Sequence, residues 1–547
     1  MYFQRKNRIG IILCGIFVFS ILIVSRAWGN ELDEVIGHLG SKKIKEIKQA
    51  IQDIARMDQP QVLPTLFALK DRHLRVDEQG QLFILSDDET TLINAITKEK
   101  VSAEDRQLRI PRINNSVRRL LSPVIAQLQL QSDDPSIRLE AAKELSRKGK
   151  LTEDAVLAIR VCIHKEQNRK IKNILHLALA RIDLASGDMD KRIRAIERIG
   201  EAGNLQFKSV LEKILIQNED ASYPEPEERI RQAAKKAIAA INLKQTIVTQ
   251  AGNLFYGLSL GSVLLLTALG LAITFGLMGV INMAHGEMLM LGAYSTYVIQ
   301  NIFNTYLPNY FDWYPLFAIP VAFFVTAIVG IILERTVIRH LYTRPLETLL
   351  ATWGVSLIII QTVRLIFGAQ NVEVANPNWL SGGIEVMPGL VLTYNRIAII
   401  IFAVLVVFLV WYILQRTRLG LQVRAVTQNR SMAASMGIST AKIDMWAFGL
   451  GSGVAGLGGV ALSQLTNVGP ELGQLYIIDS FMVVVLGGVG KIIGTVVGAL
   501  GLGIANKFLE PVSGAVLGKI FILIFIILFI QKFPQGIFSL KGRDVEN

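Results

Sequence analysis

A polytopic helical membrane bundle preceded by a helical-repeat domain, all-α throughout, is the fold class predicted by three features of this 547-residue sequence. Apolar residues make up 51% of the chain, too many for one soluble globule. They are unevenly spread: the sequence is charged and helix-patterned as far as Lys244, and from there apolar runs long enough to cross a bilayer follow one another to the end. In that second half glycines recur at four-residue spacing, the pattern that lets helices approach closely in lipid.

Residues 1–29 read as a signal peptide or signal anchor. Arg5-Lys6-Asn7-Arg8 precede an uncharged stretch from Ile9 to Val24, and Ala27-Trp28-Gly29 places small residues where a signal peptidase reads. The basic flank stays in the cytoplasm and the following polar segment goes outside. Two cysteines, Cys14 in the leader and Cys162 beyond it, build neither a disulfide framework nor a Cys-based metal site. The net charge of +12 is scattered over amphipathic helices and the loops between apolar runs, a distribution that fits membrane topology and not nucleic acid.

Residues 30–250 are rich in Ala, Leu, Ile, Lys and Glu and read as an extracytoplasmic helical domain. Arg138, Arg192 and Arg231 are each followed three residues later by Ala141, Ala195 and Ala234, and seven later by Leu145, Ile199 and Ile238. Those positions share one helix face, on which a small Ala admits a neighbouring helix. Turn signals precede each copy, and the spacing of roughly forty to fifty residues resembles HEAT-like helix pairs, which bury their apolar faces by stacking. Such a stack either docks a partner or serves as a spacer.

Residues 251–547 are expected to hold about eight spans, near 254–279, 281–300, 316–334, 348–367, 397–414, 445–466, 477–500 and 516–531. Arg335, Arg339 and Arg344 mark one cytoplasmic loop; Arg416, Arg418, Arg424, Arg430 and Lys442 mark another. An outside start agrees with both loops. Eight full spans nevertheless leave the basic tail with Lys541 and Arg543 outside, a conflict that a broken or re-entrant seventh segment would remove. Gly449 and Gly453, and Gly490, Gly494 and Gly498, are expected to pack helices.

The loop 416–444 keeps helical periodicity through Leu421–Val426 and Met432–Ile438, with Gly437 as a C-terminal stop. No nucleotide site is present: Gly149-Lys150, Gly490-Lys491 and Gly518-Lys519 are followed by Leu or Ile, with no Gly at the upstream position of a phosphate loop. His285-Gly-Glu287 lacks the Cys and His partners of a metal site, so the reading is of a protein without cofactor and without enzymatic activity. Asn282, His285 and Glu287 are costly at bilayer depth, and either line a polar path or anchor the second segment near the cytoplasmic interface. Thr352 and Ser356 on the fourth span, and Asp479 and Ser480 opening the seventh, are candidates for hydrogen bonds to a neutral polar solute.

The motif Gly420-x-x-x-Arg424-Ala425-x-x-x-Asn429-x-x-x-Ala433-x-x-x-Gly437-Ile438 resembles the cytoplasmic coupling loop of the branched-chain amino acid type of ABC permease. The resemblance extends over Gly276–Met288 and Val485–Gly494. It implies an importer subunit in the inner membrane, whose loop rests on two cytoplasmic ABC ATPase subunits and whose partners are a second homologous permease subunit and an extracytoplasmic solute-binding protein. The extra N-terminal domain resembles that of urea-importer permeases, which implies urea as cargo; branched-chain amino acids, short amides or a passive urea channel are the alternatives.

Overall fold

The computed structural model describes residues 31–86, 91–102, 108–147, 151–217, 223, 225–342 and 344–538; the leader and the tail with Lys541 and Arg543 lie outside them. The chain divides into one unit ending at Gln245 and another beginning at Thr246.

In the first unit, α1 (Ile44–Met57) buries Ile47, Ile51 and Ile54, the i, i+4, i+7 face that its sequence spells. It shares a core with α2 (Leu63–Lys70) and α3 (Asn115–Gln129), the latter begun by Asn114, whose side chain accepts from the amides of Ser116 and Val117. Between α2 and α3 the all-α expectation fails. Strands β1 (Leu74–Val76), β2 (Leu82–Leu85), β3 (Thr91–Asn94) and β4 (Lys100–Ser102) form an antiparallel meander with Leu74 opposite Ile84 and Leu92 opposite Val101. Local turn chemistry sets it up. Asp77 Oδ1 accepts from the amides of Gln79 and Gln81 around Gly80, at φ +85°, and Asn94 Oδ1 accepts from Ile96 and Thr97.

Helices α4 (Pro135–Arg147), α5 (Glu153–Lys165), α6 (Arg169–Asp183), α7 (Met189–Ala202) and α8 (Lys208–Leu215) follow, and α9 (Glu228–Met278) runs across the division at Gln245. Ala141, Ala195 and Ala234 are buried, and a Cβ on Gly200 would sit 2.8 Å from the Ala237 Cα, so α7 and the start of α9 touch backbone to backbone. The recurring arginines clamp their own turns. Arg138 donates to the carbonyls of Ser132 and Asp133 and to both Glu166 oxygens (2.8 and 3.2 Å); Arg231 donates to the carbonyls of Glu225 and Pro226, and Arg192 pairs with the Glu225 carboxylate.

The second unit is built on α10 (His285–Tyr306), α11 (Tyr314–Thr336) and α16 (Thr440–Ser463), which pack on one another. Around them lie α12 (Pro345–Phe367), α13 (Tyr394–Arg416), the short α14 (Arg418–Gln428) and α15 (Arg430–Ser435), then α17 (Leu472–Gly487) and α18 (Ile492–Lys532). A small hairpin, β5 (Gly383–Met387) and β6 (Leu390–Thr393), precedes α13. Six helical stretches among the described residues are long and apolar enough to cross a membrane: Glu228–Gly276, Pro308–His340, Pro345–Phe367, Tyr394–Arg416, Thr440–Ser463 and Ile492–Lys532.

The expected seventh span at 477–500 is not one helix. The chain stops at Gly487, turns through Gly488–Lys491 with Gly488 and Gly490 both at positive φ, and restarts at Ile492. The 41-residue α18 is about 60 Å long, twice a hydrocarbon core. It breaks at Gly514 (φ +79°, ψ 163°), a conformation open essentially to glycine alone. The turn at Gly488–Lys491 is therefore one reversal more than eight full spans contain, and the break at Gly514 falls where a reversal was already expected. They return the C-terminal end to the side of the basic loops: the Ile537 amide donates to the Leu486 carbonyl (2.9 Å), and Gly490 lies on Gly276, close to Met278, which packs against Val423, Ala433 and Ile443. A break of this kind is what the basic tail asked of the seventh segment.

Glu166 is buried, and its hydrogen bond from the Arg138 guanidinium holds its carboxyl below the usual carboxylate range. A depressed folded pKa contributes stability above the unfolded value of about 4.3 and loses it as pH falls through the folded value. Glu166→Gln is therefore expected to lower the stability of the α4–α6 region by on the order of 2 kcal/mol at pH 7. The gap from wild type should close below about pH 4, as read by amide exchange of the full chain in detergent.

Candidate functional site

Helix α9 ends at Met278, and residues 279–284 do not continue it; Gly279 adopts φ +69° and starts the break. Instead of leaving the bundle, the segment climbs back along α9. His285 Nε2 lies 3.0 Å from the Thr267 carbonyl oxygen, about 16 Å back from the end of α9 at 1.5 Å per residue. His285 thus lies alongside the body of α9 and not at its end.

Neighbouring helices supply hydrogen bonds to this unwound stretch. The Asn282 side chain accepts from the Ala284 amide (3.0 Å), and Thr352 Oγ1 on α12 accepts from the Met283 amide (3.1 Å). Ser356 Oγ, one helical turn farther along α12, donates to Glu287 Oε1 (2.8 Å). From α17, Ser480 Oγ donates to Thr267 Oγ1 (2.9 Å) or to the Tyr476 carbonyl (2.8 Å). The result is a seam joining α9, α10, α12 and α17, with Asn282, His285, Glu287, Thr352, Ser356, Ser480 and Thr267 all at most 3% exposed. Thr267 bridges two of these helices and was not singled out from sequence, where it is one hydroxyl in an apolar run.

The seam is only partly satisfied internally. Asn282 Nδ2, His285 Nδ1, Glu287 Oε2 and the Tyr294 hydroxyl are buried without a protein hydrogen-bond partner. Its members are hydroxyls, an amide, an imidazole and one carboxyl, with no Lys or Arg. Asp479, one residue before Ser480, turns away from it and pairs with Lys519 on α18 (3.1 Å); the lysine side chain is half exposed.

The loop after α13 folds into two helices. Thr417 Oγ1 accepts from the Gly420 amide, and Gly420 lies so close to the Leu414 carbonyl that a Cβ would clash. Arg424 turns back to donate to the Leu414 carbonyl (2.9 Å) and Gln415 Oε1 (2.7 Å), beside buried Val423 and half-buried Ala425. Asn429 caps α15 by accepting from the Met432 amide (2.8 Å). Gly437 (φ +82°) and Ile438 close it: their amides donate to the carbonyls of Ala434 and Ala433, both at 3.0 Å, the paired bonds of a Schellman stop. Ala433 and Ile438 pack inward, while Leu421, Met432 and Met436 present exposed apolar side chains.

The helix-packing glycines divide into two kinds. Gly494 and Gly498 lie against the backbone of α17 at Gly487 and Val483, and Gly490 against Gly276. Gly449 and Gly453 accept side chains of α11, Ile331 and Phe323. Gly494→Leu is expected to reduce folded, monodisperse protein in detergent at least about fivefold, because two main chains must separate. Gly501→Ala, which meets nothing within 4 Å, should be neutral or stabilising by about 0.5 kcal/mol; size-exclusion yield and thermal unfolding check both.

Residues 253–530 match the family described as "Branched-chain amino acid transport system / permease component". The chain is 32% identical over 268 residues to the high-affinity branched-chain amino acid transport system permease protein BraD of Pseudomonas aeruginosa, covering 48% of this chain and 87% of that protein. It is 31% identical over 264 residues to the LivH permease protein of the corresponding system in Escherichia coli (strain K12), covering 46% and 84%. Over 113 residues it is 36% identical to the ribose import permease protein RbsC of Escherichia coli (strain K12), covering 19% and 35%. No solved structure matches.

Proposed function

Because the chain belongs to the branched-chain amino acid transport permease family of ABC importers, we propose that it carries urea across the inner membrane as one half of the translocation path. The observation that supports a neutral amide is the composition of the buried seam. A branched-chain amino acid brings a carboxylate, which demands a cation or a cluster of donors when it leaves water. The seam offers hydroxyls, an amide, an imidazole and a carboxyl but no cation, and Lys519, the partner of Asp479 beside Ser480, is already paired. Urea, with donors on two nitrogens and one acceptor oxygen, matches Asn282, His285, Thr267, Ser356 and Ser480 group for group.

In this reading the structure represents a closed state. A solute-binding protein delivers urea to the outer face; two ATPases approach beneath α14 and α15, and their closure opens the seam to one side and then the other. This chain hydrolyses nothing itself. The unwound 279–284 stretch resembles the broken helices by which transporters expose backbone groups to cargo at mid-membrane. The half-exposed Lys519 on an apolar helix suits a face covered by the second permease subunit and not by lipid. The first unit, read as an extracytoplasmic HEAT-like stack, is the docking surface for the solute-binding protein.

A branched-chain amino acid cargo is the second reading, favoured by what the relatives are named for. Uptake of labelled urea at low micromolar concentration, with and without this chain and with excess leucine or thiourea as competitor, separates the two. Loss of a urea uptake that thiourea competes and leucine does not is the expected result. Unchanged urea uptake with lost leucine uptake overturns the urea assignment.

A further inference from the structure

Behind the exposed methionines of α15 lies a group of charges that the docking face does not use. Arg430, the first residue of α15, binds the Asp444 carboxylate through both terminal nitrogens, with Nη1 at 3.4 Å from Oδ1 and Nη2 on Oδ2. Its guanidinium also lies 4.9 Å from the centroid of the Tyr342 ring. The Tyr342 hydroxyl in turn donates to Glu334 Oε1 (3.0 Å). Asp444 stands in the second turn of α16 and Glu334 in the last turn of α11; they are 2% and 1% exposed. Arg335 and Arg339 face Glu334 from its own end of the bundle, and Arg430 is the cation whose hydrogen bonds reach Asp444 among the described residues.

We propose that Arg430 is the positioning residue that ties the ATPase-facing helix α15 to the transport helices α11 and α16, so that motion of α15 reaches the buried seam. This rests on the coupling role of the loop, which family membership supports, and not on the identity of the cargo.

A buried carboxylate keeps its charge only while a cation stays hydrogen-bonded to it, and removing one partner of such a pair costs far more than the pair contributes. α15 therefore cannot shift or rotate alone without stranding Asp444; it carries the base of α16 with it. From Asp444 the contact continues without a flexible element. Gly456 and Gly459 of α16 lie on Gly292 and Leu289 of α10, and Gly330 of α11 lies on Ser452. Glu287, the first-turn carboxyl of α10, belongs to the seam. This is a contiguous packed route of rigid elements, the physical form that coupling between distant sites takes. Arginine is required by the geometry, because its planar fork pairs with both carboxylate oxygens while stacking on the tyrosine, which an ammonium does not reproduce.

The test uses the complete transporter, with its ATPases and binding protein, in liposomes. Three quantities are measured: retention of ATPases in the purified complex, ATP hydrolysis with and without binding protein, and uptake of whichever solute the wild type carries. Arg430→Ala, Arg430→Lys and Asp444→Asn are expected to retain the ATPases and to keep basal hydrolysis within about twofold, while uptake per ATP falls at least about tenfold. Tyr342→Phe should lose less, and Arg430→Ala with Asp444→Asn should be no worse than either alone. Uptake per ATP within twofold of wild type in Arg430→Ala overturns the proposal. So does loss of the ATPases from that complex at the level produced by Met436→Ala, which would make Arg430 a docking contact. Should Arg430→Ala fail to fold, Asp444→Asn and Tyr342→Phe carry the same readings. ATPase retention and basal hydrolysis need no cargo, so a wrong substrate assignment leaves this result interpretable.

Discussion

A helix that stops inside a bilayer leaves amides and carbonyls that hydrocarbon cannot satisfy, and such a break survives only where protein groups take over. The stretch 279–284 between α9 and α10 leaves such groups without a helix of their own, and much of the membrane unit is arranged around it. Thr352 binds the Met283 amide, the Thr267 carbonyl binds His285, and Ser356 binds Glu287. Each hydroxyl belongs to a different turn or helix, so helices α9 and α12 are fixed relative to the start of α10 by the need to serve it. Ser480 extends the same requirement to α17. Polar atoms left without protein partners in so dry a place are expensive, and Asn282, His285 and Glu287 bring three of them together in one seam.

Close glycine contacts make that arrangement mechanically stiff. Without a hydrophobic driving force in lipid, helix association depends on van der Waals contact, and the nearest approach comes where Cβ atoms are missing. Gly286 lies on Gly473, Gly292 on Gly456, Gly494 on Gly487 and Gly490 on Gly276. Such interfaces do not deform gradually, since a shift large enough to matter means lifting backbone from backbone. Movement entering the bundle is therefore passed on by whole helices.

Several of these features can be read in the sequence because they depend on neighbours in the chain. The stop at Gly437 is one: a glycine after an amphipathic turn is what a left-handed C-terminal cap needs, and the structure closes α15 with it. Asn429, Ala433 and Ile438 fall into place around that cap. Features made by long-range pairing stay hidden. Thr267 is a single hydroxyl in an apolar helix, and its two partners come from 18 and 213 positions away. Arg430 looked like one more basic residue of a cytoplasmic loop, since a loop position carries no periodicity to indicate Asp444 as its partner. The strands of residues 74–102 are three or four residues long, below the window in which alternation can be recognised. Residues 477–500 read as one span because hydropathy averages over the turn; the run Gly487-Gly488-Val489-Gly490-Lys491 was the local sign of a break.

The unevenness of charge across the membrane unit connects the seam to its drive. Among its described residues the buried imidazole and carboxyl side chains fall into two groups: His285 and Glu287 in the seam, and Glu334 and Asp444 at the end that carries α15. Glu287 is held by a hydroxyl, whereas Asp444 is held by a full cation carried on a different helix. A hydroxyl can exchange partners with a solute at little cost, because one neutral hydrogen bond replaces another. A guanidinium pair cannot be exchanged so cheaply, since parting it strands a buried charge. On the proposed function, the permissive contact lies where cargo would be gripped and released, and the unyielding one where force would be transmitted. α16 joins the two, with Asp444 at its base and Gly456 and Gly459 seated on α10. Loosening the ion pair would disengage this helix from its drive, and tightening the core contact would hold the cargo in place.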